Sequence, residues 1–202
     1  MLHTYAKIPG WLSDNEAQRI YNTAYNCTGS ILEIGFFMGK STSVICEAIK
    51  DSGKDIKFDS YDLNYKTIDE FLSFYKPIHH EIVVPDLVQF IFDNNTSPLE
   101  LTTKNLQQHQ ILQYVQLHAG DFTKIQDQKY SFIFCDAMHD TAEIDMNLDH
   151  LLRLSTDDCI WAIHDVYPCY TDYLQSKIQN IKSIDVADSL AVFSTSGAHR
   201  RT

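Results

Sequence analysis

A small set of polar residues carries the chemistry this chain could perform. Glu33 opens the pattern Glu33-Ile34-Gly35-Phe36-Phe37-Met38-Gly39-Lys40-Ser41. Glycines let backbone approach a ligand, and the free N–H groups of a helix's first turn face whatever binds there. A dinucleotide corner has the spacing G-x-G-x-x-G and holds pyrophosphate. The spacing here is E-x-G-x-x-x-G-x-S, and a carboxylate at that point repels pyrophosphate and suits a cationic group. Asp62 ends the next apolar stretch, where an acidic residue accepts hydrogen bonds from ribose hydroxyls. A plain turn would also account for it. Asp136 is followed three residues later by His139, and His164-Asp165 closes another apolar run. Asp136 and Asp165 are hard oxygen ligands suited to Mg²⁺, whereas His164 is softer and favours Mn²⁺, Fe²⁺ or Zn²⁺. His139 has the chemistry of a general base. The metal-free alternatives are that Asp136 positions a substrate by hydrogen bonds and that His164 only orients Asp165.

These residues need a scaffold that brings them together, and the apolar pattern supplies one. Strands are expected at 30–34, 56–61, 115–118, 130–135, 159–163, 184–187 and 190–194. The run Tyr130-Ser131-Phe132-Ile133-Phe134-Cys135 is continuous, as in a central parallel strand covered on both faces. Helices alternate with the strands. Ser13-x-x-Glu16 and Ser97-Pro98-x-Glu100 are capping-box openings, and Gly53 is a C-cap. Asp188-Ser189 joins the last two strands as a hairpin. The expected fold is α/β: a Rossmann-like seven-stranded, mostly parallel sheet with a C-terminal antiparallel hairpin and helices on both faces. Residues 1–202 form one domain, with 64–113 as a helical insertion over the site. His79-His80 is a weak metal candidate, because adjacent residues point apart. The tail His199–Thr202 reads as frayed.

Net charge is −11, which argues against nucleic acid or an anionic membrane surface as partner. No apolar run has the ~18 residues of a spanning helix. The N-terminal residues show no signal-peptide pattern, so a cytoplasmic location is expected. Cys27, Cys46, Cys135, Cys159 and Cys169 are odd in number and irregular in spacing, and read as free thiols.

The segment Pro9-Gly10-Trp11-Leu12-Ser13, the Glu33–Ser41 corner, Ala119-Gly120-Asp121-Phe122 after a strand, and Asp136-x-x-His139 resemble class I S-adenosylmethionine (SAM)-dependent methyltransferases. The likeness is to the small branch related to metal-dependent sugar and natural-product O-methyltransferases. The resemblance implies cofactor contacts from Glu33, Gly35, Phe37, Gly39, Ser41, Asp62, Asp121, Phe122 and Asp136. Asp121 would take the adenine amine and Phe122 would lie against the ring. It further implies catalysis by Asp136 and His139, with a metal on Asp136, His164 and Asp165. The branch carries two acidic residues at the last pair, so His164 departs from its pattern. The acceptor would be a small-molecule hydroxyl, and a homo-oligomer is possible. Two other classes stay open: an NAD-dependent oxidoreductase, opposed by Glu33 and the hairpin, and a SAM-binding protein without catalysis.

Overall fold

The structure, a computed structural model, describes residues 4–79, 81–166 and 168–196. Seven strands form one sheet: β1 (Ile31–Ile34), β2 (Phe58–Asp62), β3 (Gln116–Ala119), β4 (Tyr130–Cys135), β5 (Ser155–Ile163), β6 (Ile181–Ala187) and β7 (Leu190–Thr195). Their order is β3-β2-β1-β4-β5-β7-β6. The first five strands pair in parallel, and β7 runs antiparallel to β5 and β6. The order reverses between β1 and β4, so a crevice opens at their C-terminal ends.

Both faces of the sheet are covered. On one face α1 (Asp14–Asn26) and α2 (Lys40–Ser52) bury Ala17, Ile20, Val44 and Ile45 against Phe132 and Phe134. On the other, α6 (Thr141–Leu154) packs Ile144, Leu148 and Leu151 against Ile133, Trp161 and Phe193. This is why β4 tolerates no polar residue except the half-buried Ser131. The strand β5 begins four residues earlier than its apolar run, because Ser155 pairs with Tyr130 across a register shift. The helix α7 (Pro168–Lys177) precedes the hairpin. Cys27, Cys46, Cys135 and Cys159 are free and buried. Among the described residues no helix is long and apolar enough to cross a membrane. His80 and the tail from residue 197 lie outside the described residues.

The expected insertion divides into two parts. Helices α3 (Ile68–Tyr75) and α4 (Asp86–Asp93) lie over the strand ends, and their only fully buried residue is Ile91. Helix α5 (Pro98–Gln108) instead belongs to the body as the crossover between β2 and β3. Its Leu106 enters the main core, while Thr102 and Asn105 donate to the Phe37 and Met38 carbonyls at 2.8 and 2.9 Å. All three helices lie within 64–113, between β2 and β3. Ser97 accepts from Glu100 N, and Glu100 returns a bond to Ser97 N, closing the capping box. Ser97→Ala is expected to lower unfolding free energy by about 1 kcal/mol in urea titrations.

Candidate active site

At the end of β1 the chain turns through Gly35, whose φ is +90°. A Cβ there would sit 2.7 Å from the Asp136 carbonyl oxygen, so the ends of β1 and β4 touch backbone to backbone. Phe37 also has positive φ, at 47°, a strained conformation for an aromatic residue. Its N–H donates to Asp62 Oδ2 at 2.9 Å, and its ring stacks on Trp11 at 5.4 Å. Gly39, at φ +89°, is the N-cap of α2. Asp62 Oδ1 accepts from Asn64 N at 2.7 Å. Burial raises the Asp62 pKa, and its two backbone donors oppose that shift. Asp121 accepts from Thr123 N, and Phe122 is buried beside it.

Glu33, expected from the sequence to contact the cofactor, is turned into the protein interior. It is fully buried and lines neither cavity. Its carboxylate accepts from Ser41 Oγ (2.6 Å), Thr42 Oγ1 (2.7 Å) and Ser60 Oγ (2.5 Å). The β1–β2 register sets Glu33 opposite Ser60, and the first turn of α2 supplies the other two hydroxyls. The Ser41 hydroxyl is thereby engaged with Glu33, although Ser41 still lines a cavity wall. Glu33 thus clamps β1, β2 and α2 together beneath the corner. Burial pushes its pKa up to about 7, against the three hydroxyls.

The ends of β4 and β5 bring carboxylates and imidazoles into alternation. Asp136 Oδ1 faces His164 Nδ1 at 3.1 Å and His139 Nε2 at 3.4 Å. His164 Nε2 faces Glu16 Oε2 at 3.4 Å. His139 Nδ1 lies 2.7 Å from Glu143 Oε2, which also accepts the His139 backbone N–H. His79 reaches Glu143 and Asp140 from the insertion, at 3.2 and 3.3 Å. Burial alone would depress both imidazoliums. For His139, bonds to Asp136 and Glu143 overcome it; for His164, bonds to Asp136 and Glu16 do so. Both are pushed up to about 10. Burial raises the carboxylates in turn, but the histidines hold Asp136 well below the usual range and draw Glu16 and Glu143 down to about 2.

His164 accordingly stands apart from the metal set read in the sequence. It is 3% exposed, and both ring nitrogens are committed to carboxylates. The residues able to share one cation are Asp136, His139 and Asp165, whose ligand atoms all lie within 4.8 Å of one another. Asp165 has φ +57°, a conformation unusual outside glycine, and accepts from Ser189 Oγ at 3.3 Å. From the sequence Glu16 is legible only as a helix cap. In the structure its other oxygen accepts from Ser189 N and Oγ, so it joins α1, β5 and the hairpin turn. Glu143 carries a faint sequence signal, four residues beyond His139 on the opening turn of a helix.

Two cavities flank this cluster. The first, about 700 Å³, includes Asp62, Asp121, Phe122 and Asp136 in its wall, and the insertion adds Phe71 and Tyr75. The second, about 530 Å³, lies against Gly10–Leu12, Lys40, His164 and Asp165. Trp11, Gly35, Phe37, Pro85, Asp136 and His139 line both.

Similar folds occur in a methyltransferase from Geobacter sulfurreducens (TM-score 0.61, 12% identity, 92% of this chain and 82% of that one). They occur also in the O-methyltransferase TomG from Streptomyces achromogenes, involved in tomaymycin synthesis and solved with SAM (0.56, 13%, 92% and 81%). A third is the S-adenosylhomocysteine (SAH)-bound methyltransferase PaMTH1 from Podospora anserina (0.58, 14%, 96% and 84%). At these identities the likeness speaks to fold. No curated protein sequence matches. Residues 32–166, more than half of the chain and the span from β1 past Asp165, match the methyltransferase-domain family. With its seven-stranded sheet and terminal hairpin, the chain belongs to this family of class I methyltransferases.

Proposed function

We propose that this protein binds SAM across the two joined cavities and methylates a hydroxyl oxygen of a small molecule, a sugar or natural product, with a divalent cation at Asp136, His139 and Asp165. The observation carrying this reading is the convergence of Gly35, Asp62 and Asp136 on the ends of β1, β2 and β4 at the crevice. The residues fit the cofactor. Asp62 accepts one backbone N–H on each oxygen, leaving further lone pairs for a ribose diol. The missing side chain at Gly35 leaves the corner open to close approach. When bound, SAM supplies an electrophilic methyl group. The net charge of −11 favours a small acceptor over nucleic acid, and TomG is itself an O-methyltransferase on this fold.

His139 has the reach of a base, but as an imidazolium between Asp136 and Glu143 it has no lone pair to accept a proton. A divalent cation shared with Asp136 and Asp165 would take the place of the Nε2 proton, so the ring would serve as a ligand of the cation and not as the base. The cation would also acidify and orient the acceptor hydroxyl. Glu143 keeps Nδ1 engaged, so Nε2 remains directed to the Asp136 side. His164, paired on both nitrogens, holds Asp136 in place.

Isothermal titration with SAM, SAH and NAD, with and without EDTA, tests the reading. Binding of SAM and SAH without NAD is the expected result, and Asp62→Ala should weaken SAH by about tenfold or more. Absence of SAM and SAH binding under every metal condition would overturn it. Transfer to a hydroxylated acceptor should be lost with EDTA and restored by Mg²⁺ or Mn²⁺.

A further inference from the structure

The wall of the second cavity includes a lysine, Lys40. Lys40 is the first residue of α2 and lines this cavity together with Gly35, Ser41, Asp136 and Asp165. Its stem is pinned. A Cβ at Gly10 would lie 3.3 Å from both Lys40 Cβ and Cδ, so the leader passes directly against it. Its ammonium stands 5.7 Å from the centroid of the Tyr5 ring. Among the described residues no carboxylate lies within salt-bridge distance of Lys40. The nearby Asp14 is engaged by the Tyr5 hydroxyl. Burial lowers the Lys40 pKa, and Asp14 only partly opposes this.

A half-buried ammonium with no counter-ion is costly, and it favours an anion that arrives with a ligand. The same cavity carries the carboxylates Asp136 and Asp165. Asp136 is already paired with His139 and His164, which line the same cavity, so Lys40 is left as the cation of this wall with no carboxylate in salt-bridge distance among the described residues, and an anionic group on the ligand would complete it. Resting on the SAM reading above, we infer that Lys40 binds the carboxylate of the methionyl moiety in the second cavity and selects cofactors that carry it. This role falls to the lysine because the buried Glu33 and the engaged Ser41 hydroxyl leave the corner with little other side-chain recognition to offer.

The test compares SAM with decarboxylated SAM, which keeps the sulfonium and the amine, by titration of the full chain without acceptor. The wild type should prefer SAM by about 10- to 100-fold, the worth of one charge-assisted contact. Lys40→Met and Lys40→Gln should bind both ligands about equally, with decarboxylated SAM held near its wild-type affinity, and Lys40→Arg should keep most of the preference. Retained binding of decarboxylated SAM is also the folding control, and two neutral variants keep the ratio readable if one folds poorly. A full SAM preference in either neutral variant overturns the inference while leaving the SAM reading intact. A wild type that binds neither ligand overturns both. Because no acceptor is present, an acceptor carboxylate cannot produce the effect.

Discussion

Gly35→Ala is expected to abolish SAM and SAH binding and to lower the unfolding free energy by about 3 kcal/mol or more. Two effects combine. At φ +90° an alanine is strained, at about 1 kcal/mol or somewhat more. The larger effect is steric: the new methyl would lie 2.7 Å from the Asp136 carbonyl oxygen, which is backbone and cannot rotate aside. Relief would require parting β1 from β4 where Asp136 N donates to the Ile34 carbonyl at 2.9 Å, or from β2 where Gly35 N donates to Tyr61 at 2.8 Å. Either movement displaces Asp136 or Asp62, so affinity falls with stability. Gly53→Ala is the control. Gly53 also has positive φ, at +65°, but a Cβ there meets nothing within 4 Å. It should lose only the strain, about 1 kcal/mol, and keep wild-type affinity. Urea denaturation and calorimetric titration of both variants provide the comparison. Equal losses in the two would remove close approach as the reason for Gly35.

The features legible in the sequence are those set by local pattern. The apolar run of β4, the glycine corner, both capping boxes and the terminal hairpin each depend on residues within one element or turn, and all are present. The sequence also places Asp62, Asp136 and Asp165 at strand ends, because a parallel sheet collects its C-terminal ends on one edge. What a side chain does there depends on tertiary partners. Glu33 alternates along a strand, but whether it meets a ligand or three hydroxyls follows from the β1–β2 register and the approach of α2. His164 reads as a metal ligand until Glu16, from the first helix of the chain, is found on its far nitrogen. What α5 serves within 64–113 is hidden for a related reason. Its capping box marks where it starts, while the burial of Leu106 and the bonds from Thr102 and Asn105 to the corner decide what it serves.

The clamp at Glu33 yields a second large effect, one that depends on pH. Its carboxyl is raised by burial to about 7, against an unfolded value of 4.5. Below pH 4.5 it is protonated in both states and adds no penalty. As pH rises from 4.5 to 7 the unfolded chain releases its proton first, and the folded protein loses stability by up to about 3 kcal/mol, after which the effect is constant. Glu33→Gln keeps the shape and an acceptor for the hydroxyls without a titrating proton. Its stability relative to wild type should therefore climb between pH 4.5 and 7 and level off above that. Other groups act in the same range or near it. His139 and His164, raised to about 10, lose their contribution as pH climbs past 6.5, while Glu16 and Glu143, lowered to about 2, lose theirs as pH falls below 4.5. These are common to both proteins and cancel in the difference between urea curves taken from pH 4 to pH 9. Glu33→Ala is different in kind. It leaves three buried hydroxyls without their acceptor at every pH, at about 1–3 kcal/mol each before relaxation. A flat wild-type-minus-Gln difference would mean that Glu33 has the same pKa folded and unfolded, and that the hydroxyls of Ser41, Thr42 and Ser60 offset its burial.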